Sequence, residues 1–305
     1  MWQRLVSFLA ESSAVLRGCM QKRALRGSSW GLLWGALAAL SLGGWEGLAG
    51  ASAAAGEVLI PAGEFVYGDS QGEEDERPTR RMVLPAFWID RTEVTAAAYA
   101  ACVAARSCRA AASPAQDGRL PAVGIGFHDA AAYCAFVGKR LPTEFEWEKA
   151  ARGSDARTYP WGHELSCERG NFGNFAGDGR CAEEGAPGRP LPVGSFPSGA
   201  SPYGVLDMAG NVAEWVEGRA GAIVARTIGI SEGELRVLRG GGCCSILGLP
   251  RASNRMVLPA GYRDVDIGFR CARTPGSQGP ASRRGMTGAP IETGVAPASS
   301  AAARP

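Results

Sequence analysis

The segment GVLDMAGNVAEW, residues 204–215, places two acidic residues, Asp207 and Glu214, on either side of a Gly-Asn turn. Glycine lets the backbone fold back sharply, and asparagine tolerates the left-handed region. A turn of this kind directs main-chain carbonyls inward, toward the place where both carboxylates converge. Such hard oxygen donors are the ligands that calcium prefers. An ordinary Asx-type turn, with Trp215 filling the core, is the alternative that these residues leave open.

Four further motifs accompany this segment along the chain. They are IPAGEF (60–65), GKRLPTEFEWE (138–148), YPWG (159–162) and GFRC (268–271). Together with GNVAEW (210–215) they resemble, in the same order, the motifs of the formylglycine-generating enzyme family, also called the sulfatase-modifying factor family. The resemblance covers residues 57–273. It implies an α+β fold similar to C-type lectin domains, rich in loops and with little regular secondary structure.

Residues 1–55 have the organisation of an export signal. A basic region precedes an apolar run at residues 30–40, and small residues follow at 51–55. The uncharged stretch 27–45 is nearly long enough to span a membrane, so an uncleaved anchor is the alternative. Residues 56–274 are then expected to form the folded domain. The last residues, 275–305, are rich in Ala, Pro, Gly and Ser and predict a disordered tail.

Composition and motif content disfavour several classes of protein. The net charge of +2 gives no reason to expect nucleic acid as a partner. Only two histidines are present, His128 and His163, and neither lies in a pattern typical of a zinc site or a Ser-His-Asp triad. Neither a P-loop nor a complete G-x-G-x-x-G motif occurs. Hydrolase, zinc-binding and nucleotide-binding functions are therefore poor hypotheses.

Local patterns predict three helices in the first half of the domain. Thr95 caps an alanine-rich helix, and a second helix covers about residues 129–137. Thr143 and Glu146 form a capping box that begins the third helix. The acidic stretch 72–78 is predicted to be a solvated loop. The predicted strands are residues 58–60, 64–67, 82–84, 87–90, 236–239 and 267–270.

The number of cysteines suits an oxidising compartment. Nine cysteines are present, and Cys19 lies in the export segment, which leaves an even eight in the exported part. Cys102 and Cys108 flank a short segment and could close a small loop. Cys167 and Cys181 bracket a Gly- and Asn-rich loop, which a bridge would stabilise by restricting the unfolded chain.

The resemblance implies one more disulfide. Cys134 and Cys271 match family positions that are disulfide-bonded. Buried free thiols are the alternative for all of these cysteines, but they are less common outside the cytoplasm. The expected set is therefore Cys102–Cys108, Cys134–Cys271 and Cys167–Cys181.

Cys243 and Cys244 are the weak catalytic candidates. Family enzymes oxidise a substrate cysteine to formylglycine with oxygen, using two cysteines that hold copper(I), an ion that prefers soft thiolates. An ungapped alignment from the strand end at 239–242 puts Ser245 and Pro250 at those two positions. In extended chain, the side chains of neighbouring residues point to opposite faces, so this vicinal pair is poorly placed to hold one ion. We therefore predict that the chain does not catalyse this oxidation. Cys243 and Cys244 are either free thiols or a vicinal disulfide.

Two calcium sites are implied by the resemblance. The better-matched site uses the side chains of Asp207 and Glu214 and the carbonyls of Gly210 and Val212. Asp207 replaces an asparagine at that position, which keeps an oxygen ligand and adds charge. A second site is expected in the loop 171–184, where the spacing departs from the family pattern. Its weaker candidate ligands are Asn171, Asn174 and Asp178.

These observations favour an exported, non-catalytic member of the family that acts as a calcium-stabilised binding or scaffold module. The alternative is a copper-dependent formylglycine-generating oxidase that converts a sulfatase cysteine. A carbohydrate-binding module is a third hypothesis, and it depends on the lectin-like fold alone. The expected partner is a protein, peptide or glycan rather than nucleic acid, and the N-terminal segment offers a route to membrane attachment.

Overall fold

The computed structural model describes residues 56–172, 188–219, 231–243 and 250–276. The expected export segment and almost all of the expected tail lie outside these ranges. The helices are α1 (Ala96–Ala104), α2 (Phe127–Phe136) and α3 (Glu144–Arg152). The strands are β1 (Glu57–Ile60), β2 (Gly63–Tyr67), β3 (Arg80–Leu84), β4 (Phe87–Asp90), β5 (Ala213–Val216), β6 (Leu235–Arg239), β7 (Arg255–Pro259), β8 (Ile267–Phe269) and β9 (Ala272–Arg273).

Helices α1 and α3 begin where their caps predict. The Thr95 hydroxyl accepts a hydrogen bond from the Ala98 amide and begins α1. The capping box of Thr143 and Glu146 begins α3, with both reciprocal hydrogen bonds present. Helix α2 starts two residues earlier than predicted. Its first amide, from Phe127, donates to a distant carbonyl, that of Ala260, which local sequence patterns do not reveal. No described helix has the length and apolar content that a membrane crossing needs.

Three small sheets form within the described ranges. One has the order β1-β4-β9, the second is the β2–β3 hairpin, and the third has the order β7-β6-β5-β8. All pairings are antiparallel except the one between β5 and β8. The first and last strands both flank β4, and the Arg273 guanidinium binds the Glu57 carboxylate through its Nε and Nη2 atoms, each at 2.8 Å. The loop-rich α+β class expected from the sequence is thereby confirmed.

The hydrophobic core lies between α3 and the sheets. Trp147 of α3 is fully buried, and it packs with residues of β1, β4, β5 and β6 in one cluster. Trp215 of β5 is fully buried as well, and its indole donates to the Ile125 carbonyl at 2.9 Å. Val205 and Met208 belong to the same cluster as Trp147, so the segment 204–215 is anchored in the core.

The prediction of a solvated acidic loop at residues 72–78 is wrong for its last glutamate. Glu76 is buried, and its two carboxylate oxygens accept hydrogen bonds from Arg251 at 2.7 and 2.8 Å. Arg251 follows Glu76 by 175 residues, so no local pattern of charge could indicate the pair. This ion pair attaches the loop to Arg251, near the start of the described range 250–276.

Two of the expected disulfides are present. Cys102–Cys108 closes the end of α1, and Cys134–Cys271 joins α2 to the chain between β8 and β9. Cys167 is also disulfide-bonded. Its expected partner, Cys181, lies outside the described residues.

Candidate functional site

The turn that follows Asp207 has an unusual backbone. Asp207, Gly210 and Asn211 have φ angles of 56°, 83° and 63°, all in the left-handed region. Glycine is required at position 210, because a Cβ atom there would lie 2.4 Å from the Asn171 carbonyl oxygen. Such backbone conformations persist only where the surrounding structure holds them, and they are frequent at ligand sites.

A pair of carboxyl groups lies buried beside this turn. Glu93, which follows β4, is fully buried, and its carboxyl group contacts that of Asp207. One Asp207 oxygen, Oδ2, accepts a hydrogen bond from the Gly194 amide at 2.5 Å. The Oε2 atom of Glu93 is buried and receives no hydrogen bond from any residue in the described ranges. No pattern in the sequence indicates that Glu93 belongs to this site.

Asn211 connects the carboxyl pair to the neighbouring loops. Its Nδ2 atom donates to Glu93 Oε1 at 2.9 Å, and its Oδ1 atom accepts from the Leu191 amide at 2.9 Å. The Asn171 amide group also donates to Asn211 Oδ1, at 3.3 Å. Asn171 was expected in a second calcium site, but the structure places it beside the first. The other candidates for the second site, Asn174 and Asp178, lie outside the described residues.

Glu214 occupies a different environment from the one that the sequence suggested. Its Oε2 atom accepts from the Trp147 indole at 2.9 Å and from Arg270 Nε at 2.7 Å. Its Oε1 atom accepts from Arg270 Nη2 at 2.7 Å. Both oxygens of this fully buried carboxylate thus accept hydrogen bonds, from the Arg270 guanidinium and the Trp147 indole. Glu214 and Asp207 both contact Arg270, Glu214 through its carboxylate and Asp207 through its main-chain carbonyl.

Arg270 is the guanidinium at the middle of the site. Besides Glu214, it donates to the carbonyls of Asp90, Arg91 and Leu206 at 3.1, 3.2 and 2.9 Å. A weaker contact reaches the Asp207 carbonyl at 3.4 Å. All three guanidinium nitrogens therefore have acceptors that are neither the Glu93 nor the Asp207 carboxyl group. Arg270 is part of the GFRC motif (268–271), but the motif alone does not indicate this role.

Burial and like charge disfavour ionisation of the carboxyl pair. Burial raises the pKa of Glu93 well above its usual range, and the neighbouring Asp207 carboxylate raises it further. Burial also raises the pKa of Asp207, although the Gly194 amide opposes this. Burial opposes the charge on Arg270, but the Glu214 carboxylate outweighs it and the pKa of the guanidinium is raised. A proton or a cation is needed to balance the pair.

The chain that carries the candidate cysteines lies against the same turn. The Gly210 amide donates to the Gly240 carbonyl at 2.9 Å, and the Cys243 amide donates to the Asn211 carbonyl at 3.1 Å. Cys243 is fully buried and disulfide-bonded, which removes the free-thiol alternative for this residue. Cys244 and Ser245 lie outside the described residues. Pro250, the other aligned catalytic position, is described and is buried.

The described residues contain no cluster of three or more His, Cys, Asp or Glu side chains arranged to hold a metal ion. A calcium site here would consequently depend on two carboxyl groups together with carbonyls, amides or water. The buried oxygen of Glu93 without a donor fits such an ion, since a cation would satisfy it. Asp207 fits as well, whereas Glu214 does not.

A loop-rich α+β domain with this strand order and buried turn defines a protein of the C-type lectin-like class. The chain belongs, more specifically, to the formylglycine-generating enzyme family. The family model described as "Sulfatase-modifying factor enzyme 1-like domain" matches residues 48–275.

Curated relatives include both inactive and active members of the family. The chain is 33% identical over 233 residues to the inactive C-alpha-formylglycine-generating enzyme 2 of Bos taurus, covering 72% of this chain and 70% of that protein. It is 32% identical over 292 residues to the formylglycine-generating enzyme of Streptomyces coelicolor, covering 71% and 88%. It is also 34% identical over 246 residues to the serine/threonine-protein kinase pkn1 of Chlamydia pneumoniae. That match covers 71% of this chain and 37% of the kinase, so the chain spans little more than a third of that relative.

Solved structures agree with the fold. PvdO from Pseudomonas aeruginosa superposes with a TM-score of 0.55 at 30% identity, covering 71% of this chain and 93% of that protein. CarF superposes with a TM-score of 0.52 at 22% identity, covering 72% and 97%. At that identity the likeness to CarF establishes the fold alone.

Proposed function

We propose that the chain is an exported, non-catalytic member of the formylglycine-generating enzyme family and acts as a calcium-stabilised binding or scaffold module. The observation that supports this most directly is the state of Cys243. It is buried and disulfide-bonded in the segment that follows β6, so it offers no thiolate to copper(I). The aligned catalytic positions hold Ser245 and Pro250, neither of which is a soft ligand.

Copper would supply the activation of oxygen in a catalytic member of the family. The described residues offer no replacement for the missing thiolates near the Asn211 turn, where the nearby side chains are carboxyl and amide groups. Hard oxygen and amide donors are poor ligands for copper(I). The similarity to an inactive relative in cattle is consistent with a role in binding rather than catalysis.

Export is supported by the chemistry of the cysteines. The bridges Cys102–Cys108 and Cys134–Cys271, together with bonded Cys167 and Cys243, are typical of an oxidising compartment. We propose a periplasmic or extracellular location, reached through residues 1–55 as a cleaved signal or as a membrane anchor. Expression with and without that segment, followed by fractionation and N-terminal sequencing, distinguishes these two cases.

The test of the proposed function is a peptide oxidation assay. Reduced, copper-loaded protein is incubated under oxygen with a Cys-x-Pro-x-Arg peptide, and the mass of the peptide is followed. The Streptomyces coelicolor relative, treated in the same way, serves as the positive control. We expect no conversion by this chain. Turnover that disappears in Cys243→Ala or Cys244→Ala would instead establish the oxidase.

The ligand of the module is proposed only as a class, namely a protein, a peptide or a glycan. A glycan array probed with the folded protein separates carbohydrate from the other two. Specific binding to one glycan family would identify a lectin-like module, whereas a blank array directs the search to polypeptides.

A further inference from the structure

A pocket with a volume of about 390 Å³ shares no lining residue with the buried centre at the Gly-Asn turn. It is formed by the turn that ends α1, the first turn of α2 and the turn that follows β7. The polar residues that line it are Ser107, Arg109, His128, Asp129 and Arg263. Ligand pockets begin at a volume of about 300 Å³, so this one is large enough to hold a side chain of a partner.

Contacts within the chain fix the walls of this pocket. The disulfide Cys102–Cys108 closes the turn that ends α1. Just beyond it, the Arg109 carbonyl accepts a hydrogen bond from the Tyr99 hydroxyl at 2.9 Å. The Phe127 amide donates to the Ala260 carbonyl at 2.9 Å, which joins α2 to the turn after β7. A ligand that enters the pocket therefore need not order its backbone, and this lowers the cost of binding.

The side chains of the pocket carry a positive charge that its own carboxylate does not match. The Nη2 atom of Arg263 donates to Asp129 Oδ2 at 2.5 Å, so these two groups neutralise each other. Arg109 approaches the same carboxylate only through Nε, 3.8 Å from Oδ1, a distance too long for a hydrogen bond. The Arg109 side chain is 83% exposed, and its guanidinium donates no hydrogen bond to any residue in the described ranges. Its N–H groups are therefore available to an anionic ligand.

The rest of the lining suits a short aliphatic chain with a polar end. His128 packs edge-on against the Phe127 ring, with the ring centroids 5.4 Å apart, and its ring nitrogens have no hydrogen-bond partner in the described part of the chain. The remaining lining residues, Gly126, Ala132, Ala260 and Gly261, offer only main chain and methyl groups. No Trp, Tyr or Phe is among the lining residues, so the described pocket lacks an aromatic surface on which a sugar ring could stack.

Resting on the binding module proposed above, we infer that this pocket binds an acidic side chain of a polypeptide partner through Arg109. The two oxygens of a carboxylate match the planar fork of a guanidinium, and a hydrogen bond between charged groups is stronger than one between neutral groups. The methylene groups of the ligand lie against Ala132 and Ala260, and His128 offers a further polar contact. This assigns the partner a chemistry, an acidic surface segment, and the module a contact surface.

The test is a binding titration with a defined acidic peptide. Fluorescence polarisation follows a fluorescein-labelled hexaglutamate peptide as the disulfide-bonded protein is added, and a hexaglutamine peptide is its neutral counterpart. We expect hexaglutamate to bind roughly tenfold more tightly than hexaglutamine. Arg109→Gln removes the guanidinium, and Ala132→Trp fills the pocket without a change of charge. Each should weaken the binding of hexaglutamate by roughly tenfold.

Arg81→Gln is the matched control, since it removes an arginine side chain that is 78% exposed and lies outside the pocket. Its affinity should stay within about twofold of the wild type, because salt screens a distant surface charge. Ala132 and Arg109 are both exposed, so the two pocket variants are expected to fold, and their melting temperatures check this.

Three results would overturn the inference. The first is a wild type that does not distinguish hexaglutamate from hexaglutamine. The second is an equal loss in Arg81→Gln and Arg109→Gln, or no loss in Ala132→Trp, since the peptide would then respond to overall charge or bind elsewhere. The third is a sulfated oligosaccharide that binds through Arg109 where hexaglutamate does not, which would make the ligand a glycan. None of these titrations depends on the peptide oxidation assay, so the two proposals can fail separately.

Discussion

Arg270 is the residue on which the buried polar centre depends most. It is fully buried and holds Glu214 through two of its nitrogens. It also donates hydrogen bonds to main-chain carbonyls at the end of β4 and in the turn before Asp207. One side chain thus links three distant parts of the chain, because its planar guanidinium presents donors in several directions at once.

Replacing Arg270 with methionine should destabilise the protein by about 3–5 kcal/mol, because Glu214 would remain buried without its partner. The control is Arg81→Met, which removes an ion pair with Glu64 whose arginine side chain is 78% exposed. That change should cost no more than about 1 kcal/mol. Urea unfolding of both variants measures the difference. Equal losses would show that the buried pair has no special importance.

The residues of the site were only partly predictable from the sequence. Asp207, Gly210 and Asn211 lie in one short segment whose composition indicates a turn with oxygen donors. Glu93 stands alone between Thr92 and Val94, with no acidic neighbour and no spacing that suggests a ligand. A signal was nonetheless available, since acidic residues at the end of an apolar strand, here Asp90 and Glu93, call for partners when they are buried. The identity of those partners depends on the fold.

At the scale of elements, the Gly-Asn turn places Glu93, Asp207 and Cys243 together. Its conformation is imposed by close packing, since Gly210 lies against the carbonyl of Asn171 and the ring of Phe172. The Asn211 amide then donates to the same Asn171 carbonyl at 2.8 Å. Any side chain at position 210 would move the turn away from this neighbour.

A Gly210→Ala variant should lose about 2 kcal/mol or more of stability, because alanine is strained at a φ of 83° and its Cβ would lie 2.4 Å from an oxygen. Gly261→Ala is the matched control, since a Cβ there meets nothing within 4 Å. Its effect should stay within about 0.5 kcal/mol. Chemical denaturation in one buffer compares the two. A neutral Gly210→Ala would mean that the turn can relax.

The capping box of α3 should make stability depend on pH. Burial raises the pKa of Glu146, but hydrogen bonds from Arg140 and the Thr143 amide outweigh it, and the net pKa lies below the usual 4.5. The ionised form is therefore favoured in the folded state. Its contribution is present above pH 4.5 and is lost as the pH falls through the lowered pKa.

Glu146→Gln should cost up to about 1 kcal/mol at pH 7, because Arg140 is 42% exposed and the pair is screened by water. This loss relative to the wild type should shrink as the pH falls below about 4.5. Thr95→Ala serves as the control, since it removes the N-cap of α1, whose first turn holds no acidic residue. Its cost of about 1 kcal/mol should stay constant with pH. The free energy of unfolding, measured from pH 3 to 7, tests this prediction. If the losses of the two variants had the same dependence on pH, the role assigned to ionised Glu146 would be wrong.

Elements differ in how far sequence alone defines them. The caps of α1 and α3 act within a few residues, so they were predicted with their correct first turns. Strands β5, β7 and β9 were not predicted, and β9 has only two residues, whose partner strand β4 lies far back along the chain. In β5, all four residues are buried between β6 and β8, so the alternation that marks a half-exposed strand is missing.

At the scale of the whole molecule, the two described disulfides differ greatly in the length of chain that they close. Cys134–Cys271 spans 137 residues, whereas Cys102–Cys108 spans 6. In the chain-entropy model, a longer closed loop removes more freedom from the unfolded state. The long bridge should therefore dominate the covalent stabilisation of the domain.

Replacing both cysteines of the long bridge by alanine should cost about 5 kcal/mol, against about 2 kcal/mol for the short one. Denaturant unfolding of the two double variants, each under non-reducing conditions, gives both values. A short-bridge variant that loses as much as the long-bridge variant would contradict the chain-entropy explanation. Peptide mapping before the measurement establishes that the remaining bridges are unchanged.

The ion pair between Glu57 and Arg273 holds the first and last strands of the folded region side by side on β4. Because β1 and β9 both flank β4, the chain enters and leaves the domain on one sheet, with the two ends joined by an ion pair. Adjacent ends are the property that makes a domain suitable for circular permutation and for grafting into a surface loop of a host protein. A short linker between positions 57 and 273 would close this domain into a ring without disturbing its sheets. Because its two ends are adjacent, the domain could also be inserted into a larger polypeptide with its turn, core and disulfides intact.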